Sequence, residues 1–306
     1  MSADMNRFLP FHADEQAAQA LAGYRMGRAP IRPLLPEQHR EFFGLLPYLF
    51  TATPDAQGWP MASVLTGSPG FIASPDPMTL RIDTLPREGD PAAADFRAGA
   101  DIGLLGIDLS TRRRNRANGR IVERDAGLTV RITQSFGNCP QYIQTRKVVG
   151  RDRTAGPVEI LAGLDEAARD LIESADTFFV ASRGRAELGP EGGLDMSHRG
   201  GRPGFVGVHG DTLVIPDFPG NRFFNTLGNL LGDPRAGLLF VNFGTGDVLQ
   251  LQGTATIDWH PGQVGPAGTE RLWRVRVTRA WRTRSAFPYL TIFGDYAPTT
   301  LQTGIW

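Results

Sequence analysis

Arg202-Pro-Gly-Phe-Val206 is a near copy of Ser68-Pro-Gly-Phe-Ile72, 134 positions earlier in the chain. Gly237-Leu-Leu-Phe-Val241 answers Gly103-Leu-Leu-Gly-Ile107 at the same offset, Gly253 answers Gly119, and Thr212-Leu213 answers Thr79-Leu80 at an offset of 133. One such match is within reach of chance; four in order, at nearly one offset, favour a duplicated unit. Each half opens with a helical pattern. The first runs from Pro36, a proline in the first turn, to Leu46, with Phe42, Phe43, Leu45 and Leu46 as its apolar face; the second runs from Asp165 to Ser174. Short apolar runs bounded by Gly, Pro or Asp follow in both halves. They are Tyr48 to Thr53, Met61 to Thr66, Thr79 to Asp83, Ile102 to Asp108 and Leu128 to Gln134, then Thr177 to Ser182, Gly204 to Val208, Thr212 to Ile215, Ala236 to Phe243, Val248 to Ile257 and Leu272 to Trp281. Many short strands in units of this size predict small barrels, which close their own edges. The organisation expected is an N-terminal extension over 1–36, a first barrel domain over 37–150, a linker over 151–164 and a second barrel domain over 165–306.

Composition narrows the function classes. The 306 residues carry 32 Lys+Arg against 32 Asp+Glu, a net charge of zero. That balance argues against a polybasic nucleic-acid binder and against an acidic solvating tail. Cys139 is the single cysteine, so one chain can build neither a disulfide framework nor a thiolate metal cluster. The histidines at 12, 39, 198, 209 and 260 show no ligand spacing, and no metal site is expected. No apolar run approaches the ~20 residues of a membrane span. Met1 to Pro10 lacks the basic and apolar regions of a signal peptide. The expectation is a cytoplasmic protein with a small-molecule substrate or electron donor as partner, and neither nucleic acid nor membrane.

Standard catalytic signatures are absent: no G-x-S-x-G, H-E-x-x-H or G-x-x-x-x-G-K occurs. Gly244-Thr-Gly246 lacks the third glycine of a dinucleotide fingerprint and reads as a hairpin turn. Asp217-Phe-Pro-Gly-Asn-Arg222 says more, because it follows the strand at Thr212 and precedes the helical pattern from Phe223 to Leu231. Backbone N–H groups, a side-chain amide and a guanidinium at a helix N-terminus suit a phosphate monoester; a Pro-Gly turn with an Asn cap and a surface arginine is the plain alternative. Asp195-Met-Ser-His-Arg-Gly-Gly-Arg202 is polar and Gly-rich, fit either to hydrogen-bond a planar heterocycle or to form a flexible hairpin loop. Arg112-Arg-Arg-Asn-Arg116 reads mainly as a solvated loop between strands, with one arginine reaching an anionic ligand as the other reading. Asn138 and Pro140 predict a short helix that would bring Cys139 near its N-terminus, as a reactive thiol or, more simply, a small packing residue.

Asp195-Met-Ser-His-Arg199, Pro203-Gly-Phe205, Leu213-Val-Ile-Pro-Asp217, Gly220-Asn-Arg222, Asn229 and Val248-Leu-Gln-Leu-Gln-Gly-Thr-Ala255 together resemble the pyridoxamine 5'-phosphate oxidase-like FMN-binding family. Gly58-Trp-Pro-Met-Ala-Ser63, Gly70-Phe-Ile72 and Ser135 to Gln144 resemble its tandem-repeat, flavin-nucleotide-binding branch. The resemblance implies a mainly β fold of two tandem split β-barrel domains with short flanking helices. It also implies FMN at an interface between barrels. Ser197, His198 and Arg199 would then lie along the flavin, Ile215, Pro216 and Asp217 would line its ring, and Asn221 and Arg222 would hold its phosphate; Met196, Asn229 and Gln252 complete the implied cofactor set. The function implied is an FMN-dependent oxidoreductase moving electrons between a reduced nicotinamide, or another donor, and a small acceptor. A non-enzymatic flavin carrier or sensor partnering a redox protein is the alternative, and haem or a deazaflavin the alternative occupant. The first half has no Gly-Asn-Arg turn, and the lysines of true pyridoxamine phosphate oxidases are missing, since Lys147 is the one lysine in the chain. One complete phosphate turn per chain allows two assemblies. The halves pair within a chain, or second halves pair across a homodimer axis; the strand from Leu272 to Trp281 reads either as part of that interface or as an internal barrel strand, and the homodimer is the expectation carried forward.

Overall fold

The structure, a computed structural model, describes residues 9–306, with the backbone alone at 189–191. Residues 1–8 of the N-terminal extension lie outside the described residues. The chain enters through α1 (Ala13–Leu21) and α2 (Glu37–Gly44), then forms β1 (Tyr48–Pro54), β2 (Pro60–Thr66), β3 (Ile72–Asp76), β4 (Thr79–Ile82), β5 (Asp101–Asp108), β6 (Arg113–Arg124) and β7 (Leu128–Gly137). These strands make one antiparallel sheet in the order β2-β1-β5-β6-β7-β4-β3. After β8 (Arg146–Arg151) and β9 (Val158–Leu161) come α3 (Glu166–Ser174), β10 (Thr177–Arg183), β11 (Leu194–Gly200), β12 (Gly207–His209), β13 (Thr212–Asp217), α4 (Asn225–Gly232), β14 (Arg235–Val241), β15 (Val248–Asp258) and β16 (Arg271–Thr283). Their order, β11-β10-β14-β15-β16-β13-β12, repeats the first sheet strand for strand. β17 (Tyr289–Phe293) and α5 (Pro298–Leu301) close the chain. The fold is mainly β, two split barrels in tandem with short flanking helices.

The matched glycines have matched jobs. Both long hairpins bulge at one, between Asn118 and Gly119 and between Gln252 and Gly253. A Cβ on Gly119 would stand 2.1 Å from the carbonyl oxygen of Arg131, and one on Gly253 2.5 Å from that of Arg276, so only glycine fits the bend.

Strands β1, β5, β10 and β14 are buried on both faces, which is why they read as unbroken apolar runs and not as an alternation. On β5, Ile102 and Leu104 face the first barrel's core, while Leu105 and Ile107 join a separate core between the barrels. On β14, Leu238 and Phe240 point inward, and Leu239 and Val241 point to that shared core. Phe50 of β1 stacks on Phe179 of β10 with ring centroids 3.5 Å apart. Around them the contacts are reciprocal. A Cβ on Gly103 would meet the carbonyl oxygen of Leu194 at 2.8 Å, and one on Gly237 that of Pro60 at 2.5 Å. The two halves therefore pair inside one chain, about an approximate two-fold relation.

The second barrel's face around Phe179 is covered by the first barrel, which is the within-chain pairing of the two halves. The strand from Leu272 to Trp281 lies within β16, between β15 and β13, with Trp273 and Val275 fully buried in the second barrel's core. It is an internal strand because its inward positions fill that barrel. The segment 151–164 is not plain linker, since β9 extends the second sheet by pairing with the far end of β16.

Candidate functional site

A crevice opens where β11 and the turn after β13 of the second barrel face β6 and the segment 138–142 of the first. The arginine run is the start of β6 and not a loop. Arg114 pairs with Ile107 and Arg116 with Leu105 across the β5–β6 ladder, and the strand's period of two sends both side chains to one face. Arg113 goes to the other face, over the ring of Phe42, and Arg112 donates to the carbonyl of Ile143 and pairs with Asp295 at 2.8 Å. Four neighbouring arginines thus have separate destinations, and two of them line the crevice.

Arg114 Nη1 donates to His198 Nδ1 at 2.9 Å. Arg116 Nη1 stands 3.6 Å from Asp195 Oδ1, whose carboxylate also accepts from Asn118 at 2.6 Å and Asn229 at 3.0 Å. Arg199 and Arg271 grip Asp217 from both sides, at 2.6 and 2.8 Å. Arg222, with a left-handed φ of 62°, leans over the ring of Tyr24 at 4.2 Å. Asn221 Oδ1 accepts the N–H of Phe223 at 3.1 Å and so shapes the turn. Tyr142, at φ 60°, stacks on Phe218 and donates to the carbonyl of Pro219 at 2.9 Å. It lies in turn and coil where a helix capped by Asn138 was expected; the left-handed residue interrupts helical geometry.

The electrostatics favour an anion. Burial first, then the neighbouring Arg116, pushes the Arg114 guanidinium down to about 9, and burial lowers Arg116 too. His198 is held well below its ordinary value, by burial and then by the Arg114 charge. Buried nitrogens without a hydrogen-bond partner among the described residues cluster in the crevice: Nε of Arg114, Arg116 and Arg199 and Nε2 of His198, with Nη1 of Arg116 meeting Asp195 only as an ion pair at 3.6 Å. Leaving a buried donor unmet costs about 1–3 kcal/mol, so acceptor atoms placed in the crevice are favoured there.

Of the residues expected to bind a cofactor, His198, Arg199, Pro216, Asp217, Asn221 and Arg222 line the crevice. The other five do not. Met196 is buried in the core between the barrels and Ile215 in the second barrel's core. Ser197 lies just behind the crevice wall, fully buried, accepting from Thr226 at 2.8 Å. Asn229 ties α4 to Ser182 and Asp195, and meets His12 Nε2 at 2.8 Å. Gln252 donates across the barrel interface to Asp55 at 3.2 Å and to the carbonyl of Pro60 at 3.3 Å. These five were placed by motif adjacency, and strand alternation turns several of them inward. Arg114, Arg116, Tyr142, Asn225, Thr226 and Arg271 were missed. The alternate arginines in 112–116 were the one readable signal, and it required reading that stretch as strand.

A second crevice stands at the reciprocal position, with different chemistry. Counting from the matched bulges puts Val248 and Gln250 where Arg114 and Arg116 stand. Counting from the reciprocal pairs Ala52–Ala62 and Ala181–Met196 puts Val64 in the place of His198. Thr84 takes the place of Asp217, through Leu80 and Leu213. All four substitutes line that second crevice. Its own arginines are Arg87, which donates to Thr283 at 2.8 Å, and Arg151, which lies over Tyr289.

The family model of pyridoxamine 5'-phosphate oxidase matches residues 164–281. Among solved structures, the chain is similar to HupZ from Group A Streptococcus, at 16% identity over 38% of this chain and 90% of that one, with a TM-score of 0.29. An FAD-binding protein from Mesorhizobium loti matches at 12% identity, over 42% and 97%, with a TM-score of 0.28. A protein of the pyridoxinephosphate oxidase family from Clostridium acetobutylicum, related to general stress protein 26 of B. subtilis, matches at 13% identity, over 42% and 92%, with a TM-score of 0.28. No curated protein matches the chain. The matched stretch, residues 164–281, spans α3 to β16 and carries the Gly-Asn-Arg turn, so it is the second barrel that is similar to the pyridoxamine 5'-phosphate oxidase family.

Proposed function

We propose that the crevice holds one FMN per chain and that the protein is an FMN-dependent oxidoreductase. The observation that carries this reading is the convergence of partnerless, buried guanidinium and imidazole nitrogens, among the described residues, from both barrels beside the turn at Asn221 and Arg222. Such donors fit a phosphate monoester joined to a planar heterocycle that offers further acceptors. The family match supports a flavin as that molecule. Arg222, Asn221 and the N–H groups at the start of α4 would hold the phosphate; Arg114, Arg116 and His198 would supply donors from the facing wall. Bound flavin supplies the electron or hydride transfer, and the chain orients it and sets its electrostatics. With Asp217 held between two arginines and His198 kept neutral, neither of these groups is poised to move a proton. That favours simple electron exchange between a reduced nicotinamide, or another donor, and a small acceptor. It equally favours the second reading, a flavin carrier or sensor. Pairing within the chain completes the site without a second copy.

Flavin fluorescence titration tests the binding. FMN should bind one per chain and riboflavin far more weakly. Arg222→Ala should weaken FMN by about 10–150-fold, the equivalent of ~1.5–3 kcal/mol for a bond to a charged group, and leave riboflavin unchanged. Equal affinity for the two flavins refutes the phosphate site. Rapid mixing of the loaded protein with NADH and NADPH then separates the enzyme, which is reduced, from the carrier, which is not.

A further inference from the structure

We propose that Arg114 of the first barrel fixes His198 of the second as the neutral imidazole with its proton on Nε2, so that the crevice wall offers a ligand a hydrogen-bond donor and neither an acceptor nor a cation at that point. The tautomer stands on the protein alone; only the identity of the ligand rests on the flavin reading.

The argument starts from valence. Arg114 Nη1 lies 2.9 Å from His198 Nδ1. A guanidinium has five N–H donors and no acceptor, so Nδ1 must be the acceptor and cannot carry a proton. The one proton of a neutral imidazole then sits on Nε2. A second proton is opposed from every side: the ring is buried and faces the charges of Arg114, Arg199, Arg146 and Arg116. The orientation is held by packing. The imidazole stands edge-on to Phe179, at 5.8 Å and 69°, and Phe179 is itself stacked on Phe50 in the core that joins the barrels. Nε2 is buried and has no partner among the described residues, and His198 lines the crevice. A donor fixed in this way selects an acceptor atom. A carbonyl or ring nitrogen of a planar heterocycle qualifies, and so does a phosphate oxygen; an N–H or a protonated group is rejected. Because Arg114 reaches across from the other barrel, the donor exists only when the two barrels are paired. Arg114 is thus a positioning residue acting through His198.

Long-range proton–nitrogen NMR on histidine-labelled full-length protein at pH 7 reads the tautomer directly. The ligand-free protein should show a pyrrole-like Nε2 and a pyridine-like Nδ1 for His198, assigned through loss of the signal in His198→Gln. Riboflavin, inorganic phosphate and FMN are then added separately. A shift of the Nε2 signal with riboflavin places the heterocycle edge at the donor, and a shift with phosphate alone places the phosphate there; either supports the proposal. Arg114→Met should convert the signal into exchanging tautomers while the other histidine signals stay in place. A protonated Nδ1, an imidazolium at pH 7, or an unchanged tautomer in Arg114→Met overturns the proposal. An Nε2 signal unmoved by FMN, when fluorescence shows FMN bound, overturns it as well. If FMN fails to bind while the Nε2–H tautomer is present, the flavin reading falls and the tautomer assignment is upheld.

Discussion

Arg114→Met should make the ligand-free protein more stable and the flavin complex weaker. Arg114 is half-buried beside Arg116 and Arg199, and its one side-chain bond among the described residues goes to a neutral imidazole. The carboxylates of the crevice are committed elsewhere: Asp217 to Arg199 and Arg271, Asp195 to Asn118, Asn229 and Arg116. The Arg114 charge is therefore uncompensated until an anion arrives. Methionine keeps much of the aliphatic stem and removes the charge. Replacing buried charged groups by apolar ones of similar volume stabilises by about 1–4 kcal/mol in favourable cases, against which the lost bond to His198 costs roughly 1 kcal/mol. The net expected is a gain of about 0–3 kcal/mol, each kcal/mol being worth ~2–4 °C in a domain of 150–250 residues. With ligand present the sign reverses, because a charge-assisted contact of ~1.5–3 kcal/mol is lost and Kd rises about 10–150-fold. Thermal melts with and without saturating FMN read both effects. The variant should melt higher than the parent when ligand-free, and gain less from FMN. A lower ligand-free melting temperature together with unchanged FMN affinity refutes the reasoning and leaves Arg114 as a packing residue.

Gln252→Leu should leave FMN affinity unchanged and cost about 1–2 kcal/mol of stability, since it removes bonds across the barrel interface to Asp55 and Pro60 and touches no crevice residue; urea unfolding and fluorescence titration of one variant check both halves of the statement. Gly237→Ala should cost about 1–3 kcal/mol by overpacking, because the new methyl would meet the Pro60 carbonyl oxygen, a backbone atom, at 2.5 Å; an unchanged urea midpoint would show that the barrels tolerate separation. Burial, then Asp195, raises Glu15 from 4.5 to about 8. Between those values the folded state keeps a proton that the unfolded state has released, so this group's contribution to stability falls as pH rises through the window, and Glu15→Gln should flatten the slope. Burial, then Arg32 and Arg113, lowers His39 from 6.5 to about 4. There the unfolded state takes up a proton that the folded state refuses, so stability falls as pH drops from 6.5 to 4. The two slopes offset each other between pH 4.5 and 6.5, so urea midpoints from pH 4 to 9 are compared between the parent and Glu15→Gln, which leaves the His39 slope alone.

The barrels were legible because their signals are local. A bulge glycine such as Gly119 or Gly253 is demanded by a single close contact, and the Pro-Gly-Phe turns by a single left-handed glycine each, Gly70 and Gly204. Such demands survive in the sequence at a constant offset. The Gly-Asn-Arg turn was readable for the same reason, since its chemistry sits in three consecutive residues. The crevice was half legible. His198, Arg199, Asp217, Asn221 and Arg222 come from one barrel and lie close in sequence. Arg114 and Arg116 come from the other barrel, and what makes them site residues is burial against His198 and Asp195. Nothing in Arg112-Arg-Arg-Asn-Arg116 says which side of a strand is covered by a different domain. Met196, Ile215 and Gln252 stand near crevice residues in sequence, but the alternation of β11, β13 and β15 turns them towards cores and the barrel interface.

Packing on the axis and chemistry beside it obey different constraints, and this explains how one chain can have two like barrels and two crevices of different chemistry. On the axis Phe50 lies on its own counterpart, Phe179, and beside it Gly103 and Gly237 admit equivalent backbone of the other barrel, at Leu194 and Pro60. Enlarging either member of such a pair opens the contact for both barrels, so the two halves must stay alike there. The crevices lie off the axis. One draws on β11 and β6, the other on β2 and β15, and no lining residue is common to both. Arg114, Arg116, His198 and Asp217 can therefore face Val248, Gln250, Val64 and Thr84 across the axis at no cost to the shared core. A homodimer of single barrels cannot make this separation, because every substitution appears at both of its crevices. Two barrels joined in one chain can place Arg114, Arg116 and His198 in one crevice and neutral side chains at the equivalent positions of the other, where Arg87 and Arg151 stand elsewhere in the lining.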